Sequence, residues 1–129
     1  MKRGVILIIG IGNDIIEISR IKQAIERSER FLKKVFDKVE IEYFESRNMK
    51  PEFIAGRFAA KEAIAKALGT GFRGFTFKDI VIERNELGKP RVILKGRAKE
   101  IAAEKGDYRF FISISHSEEN AIAMAIMEA

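Results

Sequence analysis

Apolar positions along this chain change period from one stretch to the next. Val5 to Ile11 is almost wholly apolar, which predicts a strand buried on both faces, closed by Gly10 and Gly12. Ile15, Ile18, Ile21 and Ile25 then recur at spacings of three and four residues, the mark of one helical face. Asn13 or Asp14 is the expected cap of this helix, and Asp14-x-x-Glu17 resembles a capping box. Phe31, Leu32, Val35 and Phe36 continue the apolar pattern. A second helix is predicted from about Val39 to Ser46, with Ile41, Tyr43 and Phe44 among its apolar residues. Pro51 suits the first turn of a third helix, which stops at Gly69-Thr70-Gly71.

The second half is different. Ile80 to Ile82 and Val92 to Leu94 read as strands, with Asn85 to Pro90 as the hairpin loop between them. Gly96 to Lys105 is a short alanine-bearing helix. Phe110 to Ser115 and Ala121 to Met127 are two more strands, joined by Ser115 to Asn120. The expected architecture is α+β, with helices packed on an antiparallel sheet. No repeat or linker divides it, so a single domain is expected over residues 1–129.

Composition narrows the class. Hydrophobic residues make up 47% and charged residues 33%, a folded rather than a disordered balance. There is no cysteine, which excludes disulfides, thiolate metal sites and a cysteine nucleophile, and fits the reducing cytoplasm. The start of the chain, Met1 to Gly10, superficially has the form of a signal segment. Its apolar run, Val5 to Ile9, is too short for export or for a membrane span, and Asp14 and Glu17 follow at once. The net charge of +5 favours anionic partners: nucleic acid, a phosphorylated cofactor or an acidic protein.

The densest chemistry lies between Arg57 and Gly71. Glu62 and Lys66 are four residues apart and share a helix face, as do Arg57 and Lys61 on a second, basic edge. Alanine fills most of the rest, so another surface can approach closely. A surface ion pair is one reading of Glu62 and Lys66. A carboxylate for a metal, flanked by cations for phosphates, is the other.

Other candidates are also two-sided. Gly10-Ile11-Gly12 follows a strand, but position 15 is isoleucine rather than a third glycine, and no Gly-Lys-Ser/Thr phosphate loop occurs. Asp14 is either a helix cap or a carboxylate at a strand-to-helix junction. His116 is the only histidine, so it cannot build a multi-histidine metal site. Between Ser115 and Ser117 it is a polar turn residue or a phosphate contact. Arg20, Arg27, Arg30 and Lys34 would form one basic stripe on a continuous helix. Such a stripe is a solvated face or, given the forked contacts of arginine, a docking surface for anionic groups.

Taken together, three stretches resemble the holo-acyl-carrier-protein synthases, the small trimeric class of 4′-phosphopantetheinyl transferases. They are Gly10-Ile11-Gly12-Asn13-Asp14-Ile15-Ile16-Glu17-Ile18-Ser19-Arg20-Ile21, then Gly56-Arg57-Phe58-Ala59-Ala60-Lys61-Glu62-Ala63 through Lys66-Ala67-Leu68-Gly69-Thr70-Gly71, and Ile112-Ser113-Ile114-Ser115-His116-Ser117. Gly88-Lys89-Pro90 also matches. Order, spacing and length agree over almost the whole chain, and the middle motif is the most specific.

The resemblance implies the 4′-phosphopantetheinyl transferase fold. It implies transfer of the phosphopantetheine arm of coenzyme A to a serine of apo-acyl carrier protein, in support of fatty acid synthesis. The other product would be adenosine 3′,5′-bisphosphate. Asp14 and Glu62 fall on the family's Mg²⁺ ligands, and Lys66 on the lysine that contacts coenzyme A phosphate; these three are the implied catalytic residues. Arg57, Gly71, Lys89, Pro90 and His116 match stretches that border the nucleotide, with Arg57 serving a neighbouring subunit's site in a homotrimer. Arg20, Arg27 and Arg30 match the arginines that dock the acidic carrier. Neither nucleic acid nor membrane is an implied partner. Two positions depart from the pattern: Asn13, where threonine or a small apolar residue is common, and Leu87, where a polar residue is common.

A basic nucleic-acid-binding domain without catalysis is the alternative. It would use the same arginines on phosphates but leaves Asp14 and Glu62 without a role, because carboxylates repel a polyanion.

Overall fold

In the computed structural model, which describes residues 4–129, the first strand continues well beyond the apolar run that announces it. Met1, Lys2 and Arg3, the start of the signal-like stretch, lie outside the described residues. Strand β1 spans Ile8–Glu17. Helices α1 (Ile18–Arg27), α2 (Arg30–Val35), α3 (Lys38–Ser46) and α4 (Pro51–Ala67) follow. A short 3-10 turn, Phe77–Asp79, leads into β2 (Ile80–Arg84) and β3 (Pro90–Leu94). Helix α5 (Gly96–Ala103) and strands β4 (Arg109–His116) and β5 (Asn120–Glu128) complete the chain.

Two antiparallel sheets result: β1-β5-β4, and the hairpin β2-β3. Helix α4 packs against all three strands of the larger sheet and also against α1 and β2. Pro51 occupies its first turn, and Gly69 ends it with φ of +86°, a conformation glycine adopts without steric cost. The Gly71 amide donates back to the Ala65 carbonyl at 3.1 Å.

Glycine and alanine explain how closely α4 meets β1. A Cβ added at Gly10 would overlap the Ala67 carbonyl, and one added at Gly12 would overlap the Ala63 carbonyl. The strand backbone therefore rests directly on the helix. One apolar core gathers Ala59, Ala63, Ile64, Leu68, Ile80, Ile82 and Met127; the other gathers Ile18, Ile21, Val35, Phe36, Phe44 and Ile54. The surface that the alanines of α4 admit is thus the protein's own strand.

The opposite face of the larger sheet is open. Strand pairing places Ile11, Ile126 and Phe111 in one rank, Asn13, Met124 and Ser113 in the next, and Ile15, Ile122 and Ser115 in a third. Ile11 and Ile15 are each 64% exposed, so β1 is not buried on both faces as its composition predicts. An alternating strand would have signalled one open face, but here apolar residues occupy both.

Four further expectations are corrected. Asp14 does not cap a helix: β1 continues through it, α1 begins at Ile18, and Asp14 and Glu17 form no capping box. Ile15 belongs to that strand rather than to the helical face. The basic stripe is not continuous either, because extended backbone at Ser28 separates α1 from α2. Finally, Arg57 and Lys61 form no exposed basic edge, since both are buried.

Candidate active site

The close contact of β1 with α4 decides which side chains meet. Asp14 lies two residues beyond Gly12, and Lys66 lies one turn beyond Ala63 and Glu62. The Lys66 ammonium donates to the Asn13 carbonyl at 2.9 Å and stands 3.4 Å from the Asp14 carboxylate. Lys66 therefore pairs with β1 rather than with Glu62. Its side chain is half exposed, so the ion pair contributes little to stability and leaves the ammonium free to turn toward an anion.

Glu62 is half-buried beside them. Burial pushes its carboxyl above the usual range, the negative charge of Asp14 adds to this, and Lys66 partly offsets it. The Asp14 charge raises the cost of ionising Glu62, and a cation between the two carboxylates would relieve it. Among the described residues no group of three His, Cys, Asp or Glu gathers. Asp14 and Glu62 could offer two oxygen donors, which would suit a hard ion that keeps waters and takes substrate oxygens. Asn13, Asp14, Lys66, Ser113, Ser115 and Met124 line an adjacent cleft of about 420 Å³.

His116 is not in that cleft. It ends β4 and meets Phe53 edge to face, with ring centres 6.0 Å apart. With Tyr43, Glu52, Gly56, Arg57, Arg84, Gly88 and Pro90 it lines a second cleft of about 410 Å³. Arg57 is only 5% exposed, and its guanidinium lies over the Tyr43 ring at 4.6 Å. Its Nε and one Glu52 oxygen are buried without hydrogen-bond partners. Unsatisfied polar atoms in a cleft are costly, and a polar ligand would relieve them. Arg84 bonds the Gly88 carbonyl at 3.2 Å and so shapes the hairpin that carries Lys89 and Pro90. Lys89 is exposed, and Gly71 lines neither cleft.

A third region is basic. Arg27, Arg30 and Lys34 line a shallow groove with Lys33 and Phe31, at the break between α1 and α2. Arg20 stands apart from it on α1. Sequence reasoning missed Lys33, and it also missed Tyr43 and Arg84 in the second cleft. The patterns around them are ordinary; only folding shows that Tyr43 stacks under Arg57 and Arg84.

A family model for the 4′-phosphopantetheinyl transferase superfamily matches residues 10–125 of the chain, from β1 to β5. The chain belongs to this superfamily. Within the superfamily it is 64% identical to a holo-[acyl-carrier-protein] synthase of Clostridium novyi, across 95% of this chain and 88% of that one. Its fold is that of solved relatives. An acyl carrier protein synthase of Plasmodium yoelii with ADP bound superposes with a TM-score of 0.86 at 38% identity, covering 98% of each chain. A holo-(acyl-carrier-protein) synthase of Bacillus anthracis in complex with CoA (3′,5′-ADP) gives 0.77 at 35% identity, covering 95% of this chain and 97% of that one.

Proposed function

We propose that the chain transfers the 4′-phosphopantetheine group of coenzyme A to a serine of apo-acyl carrier protein, in support of fatty acid synthesis. The observation that carries this is the meeting of Asp14, Glu62 and Lys66 where β1 crosses α4. In the reaction a bond forms between the serine oxygen and the β-phosphorus of coenzyme A. The phosphoanhydride bond to the nucleotide breaks, adenosine 3′,5′-bisphosphate leaves, and the serine proton is lost.

Asp14 and Glu62 would hold Mg²⁺. When bound, that ion supplies positive charge against the phosphate oxygens on which negative charge develops. Lys66 binds phosphate beside them. Arg57, Pro90 and His116 border the nucleotide in the second cleft, with Lys89 on the adjoining hairpin and Gly71 at the end of α4. The unpartnered Arg57 Nε and Glu52 oxygen support a polar ligand there.

Asp14 and Lys66 line one cleft of the chain and Arg57 and His116 another, and the open apolar sheet face gives copies a surface on which to associate. Both features support association with sites between subunits, and the resemblance makes the assembly a homotrimer, one copy contributing Asp14, Glu62 and Lys66 and its neighbour contributing Arg57. Arg27 and Arg30 in the basic groove, with Arg20 farther along α1, receive the acidic carrier. A cytoplasmic location suits these substrates, and among the described residues no helix is long and apolar enough to cross a membrane.

Incubation with apo-carrier protein, coenzyme A and Mg²⁺, followed by the intact mass of the carrier, tests the proposal. The carrier gains the mass of phosphopantetheine. No gain with several carriers overturns it. The nucleic-acid alternative is not favoured, because the paired carboxylates would face a polyanion.

A further inference from the structure

Lys61 is the most unusual charged residue in the fold. It sits next to Glu62 on α4, yet its side chain is completely buried. Its ammonium has three protons to donate and finds three acceptors. These are the Val35 carbonyl at 2.7 Å, Glu40 Oε1 at 2.8 Å and the Phe77 carbonyl at 3.1 Å. Glu40 in turn accepts from the Asp37 amide at 2.9 Å and the Ile82 amide at 3.1 Å. Three N–H groups thus converge on one carboxylate, which suits its ionised form.

The partners identify what this network holds. Val35 is the last residue of α2, and α2 supplies Arg30, Lys33 and Lys34 to the basic groove. A helix of six residues does not sustain itself, and its final carbonyls need outside donors. Lys61 provides one of those donors from α4. Glu40 lies in the first turn of α3 and is fixed by Lys61 as well. One side chain therefore joins the groove to the helix that carries Glu62. Stability alone does not explain it, since a well-packed apolar pair of the same volume commonly serves as well.

We propose that Lys61 is a positioning residue for the protein substrate. It holds α2 in fixed relation to Glu62, so that an acidic carrier docked on Arg27, Arg30 and Lys34 presents its serine to the carboxylates. Lys61 itself touches no substrate. The proposal rests on the transferase reading above.

The test replaces the pair by apolar side chains, Lys61→Met with Glu40→Met, in the full-length protein. Hydrogen exchange is followed at the Phe36 amide, which bonds the Leu32 carbonyl and closes α2. Transfer kinetics are measured separately against apo-carrier and against coenzyme A. The expected result is faster exchange across α2 and a KM for carrier raised about tenfold, with kcat and the KM for coenzyme A within about threefold of wild type. A folded double variant with an unchanged KM for carrier overturns the proposal, as does an equal rise in both KM values. If the double variant melts below assay temperature, Glu40→Gln takes its place. It keeps the side-chain shape and must show the same split between the substrates to a smaller degree. Wild-type protein that modifies no carrier overturns the transferase reading itself. Normal wild-type turnover without the split overturns only the role of Lys61.

Discussion

Gly12 on β1 and Ala63 on α4 meet backbone to backbone: a methyl group on Gly12 would overlap the Ala63 carbonyl oxygen and come within 2.9 Å of the Lys66 Cβ. The Gly12→Ala variant is therefore expected to lose roughly 1–3 kcal/mol of stability through overpacking. It should also lose activity beyond that, because Asp14 rides on the displaced strand. Thermal unfolding reports the first loss. Transfer rates at a temperature where the variant is fully folded report the second.

Glu62 carries a measurable electrostatic cost. Its folded-state pKa is raised, so the folded protein holds this proton more tightly than the unfolded chain does. That contribution to stability is fully present below the ordinary carboxylate pKa and is lost as pH rises through the folded-state value. At neutral pH in chelator, Glu62→Gln should melt higher than wild type. The gap should close as pH falls through the carboxylate range. Added Mg²⁺ should raise the melting temperature of wild type and leave Glu62→Gln unchanged.

Charge reversal in the groove separates docking from chemistry. Arg27→Glu with Arg30→Glu is expected to raise the KM for carrier by about tenfold or more and to flatten its dependence on salt. The KM for coenzyme A should not move. Steady-state kinetics at low and high ionic strength check both.

Breaking the buried pair from one side should be severe. Lys61→Met alone leaves the Glu40 carboxylate buried without its cation, at a cost of about 3–5 kcal/mol. Adding Glu40→Met should restore most of that stability. Denaturant midpoints for the two variants give the comparison.

Much of the architecture was legible in the amino-acid order. Pro51 and the Gly69–Gly71 turn bracket α4 within a residue or two, and the hairpin at Asn85 to Lys89 lies between the two strands expected there. Holo-acyl-carrier-protein synthase motifs were legible too, because they are local. The error at Asp14 has a clear cause. Isoleucines at positions 15, 18, 21 and 25 imitate a helical face, whereas Ile15 lies in the strand and Ile18 in the helix. Period cannot reveal that change of element. Nor could it reveal Lys61, whose partners at Val35, Glu40 and Phe77 are remote in sequence. A surface lysine and a buried one look the same until the chain is folded.

The open sheet face bears on how the protein must be handled. In the proposed trimer, neither cleft alone is a complete site, so activity per chain should fall on dilution as copies separate. Two dead variants, Asp14→Ala and Arg57→Ala, should regain turnover when refolded together, because mixed assemblies contain some junctions with both halves intact. The rank of Ile15, Ile122 and Ser115 would then be a switch set by concentration: a lone copy folds, displays its apolar strands and waits.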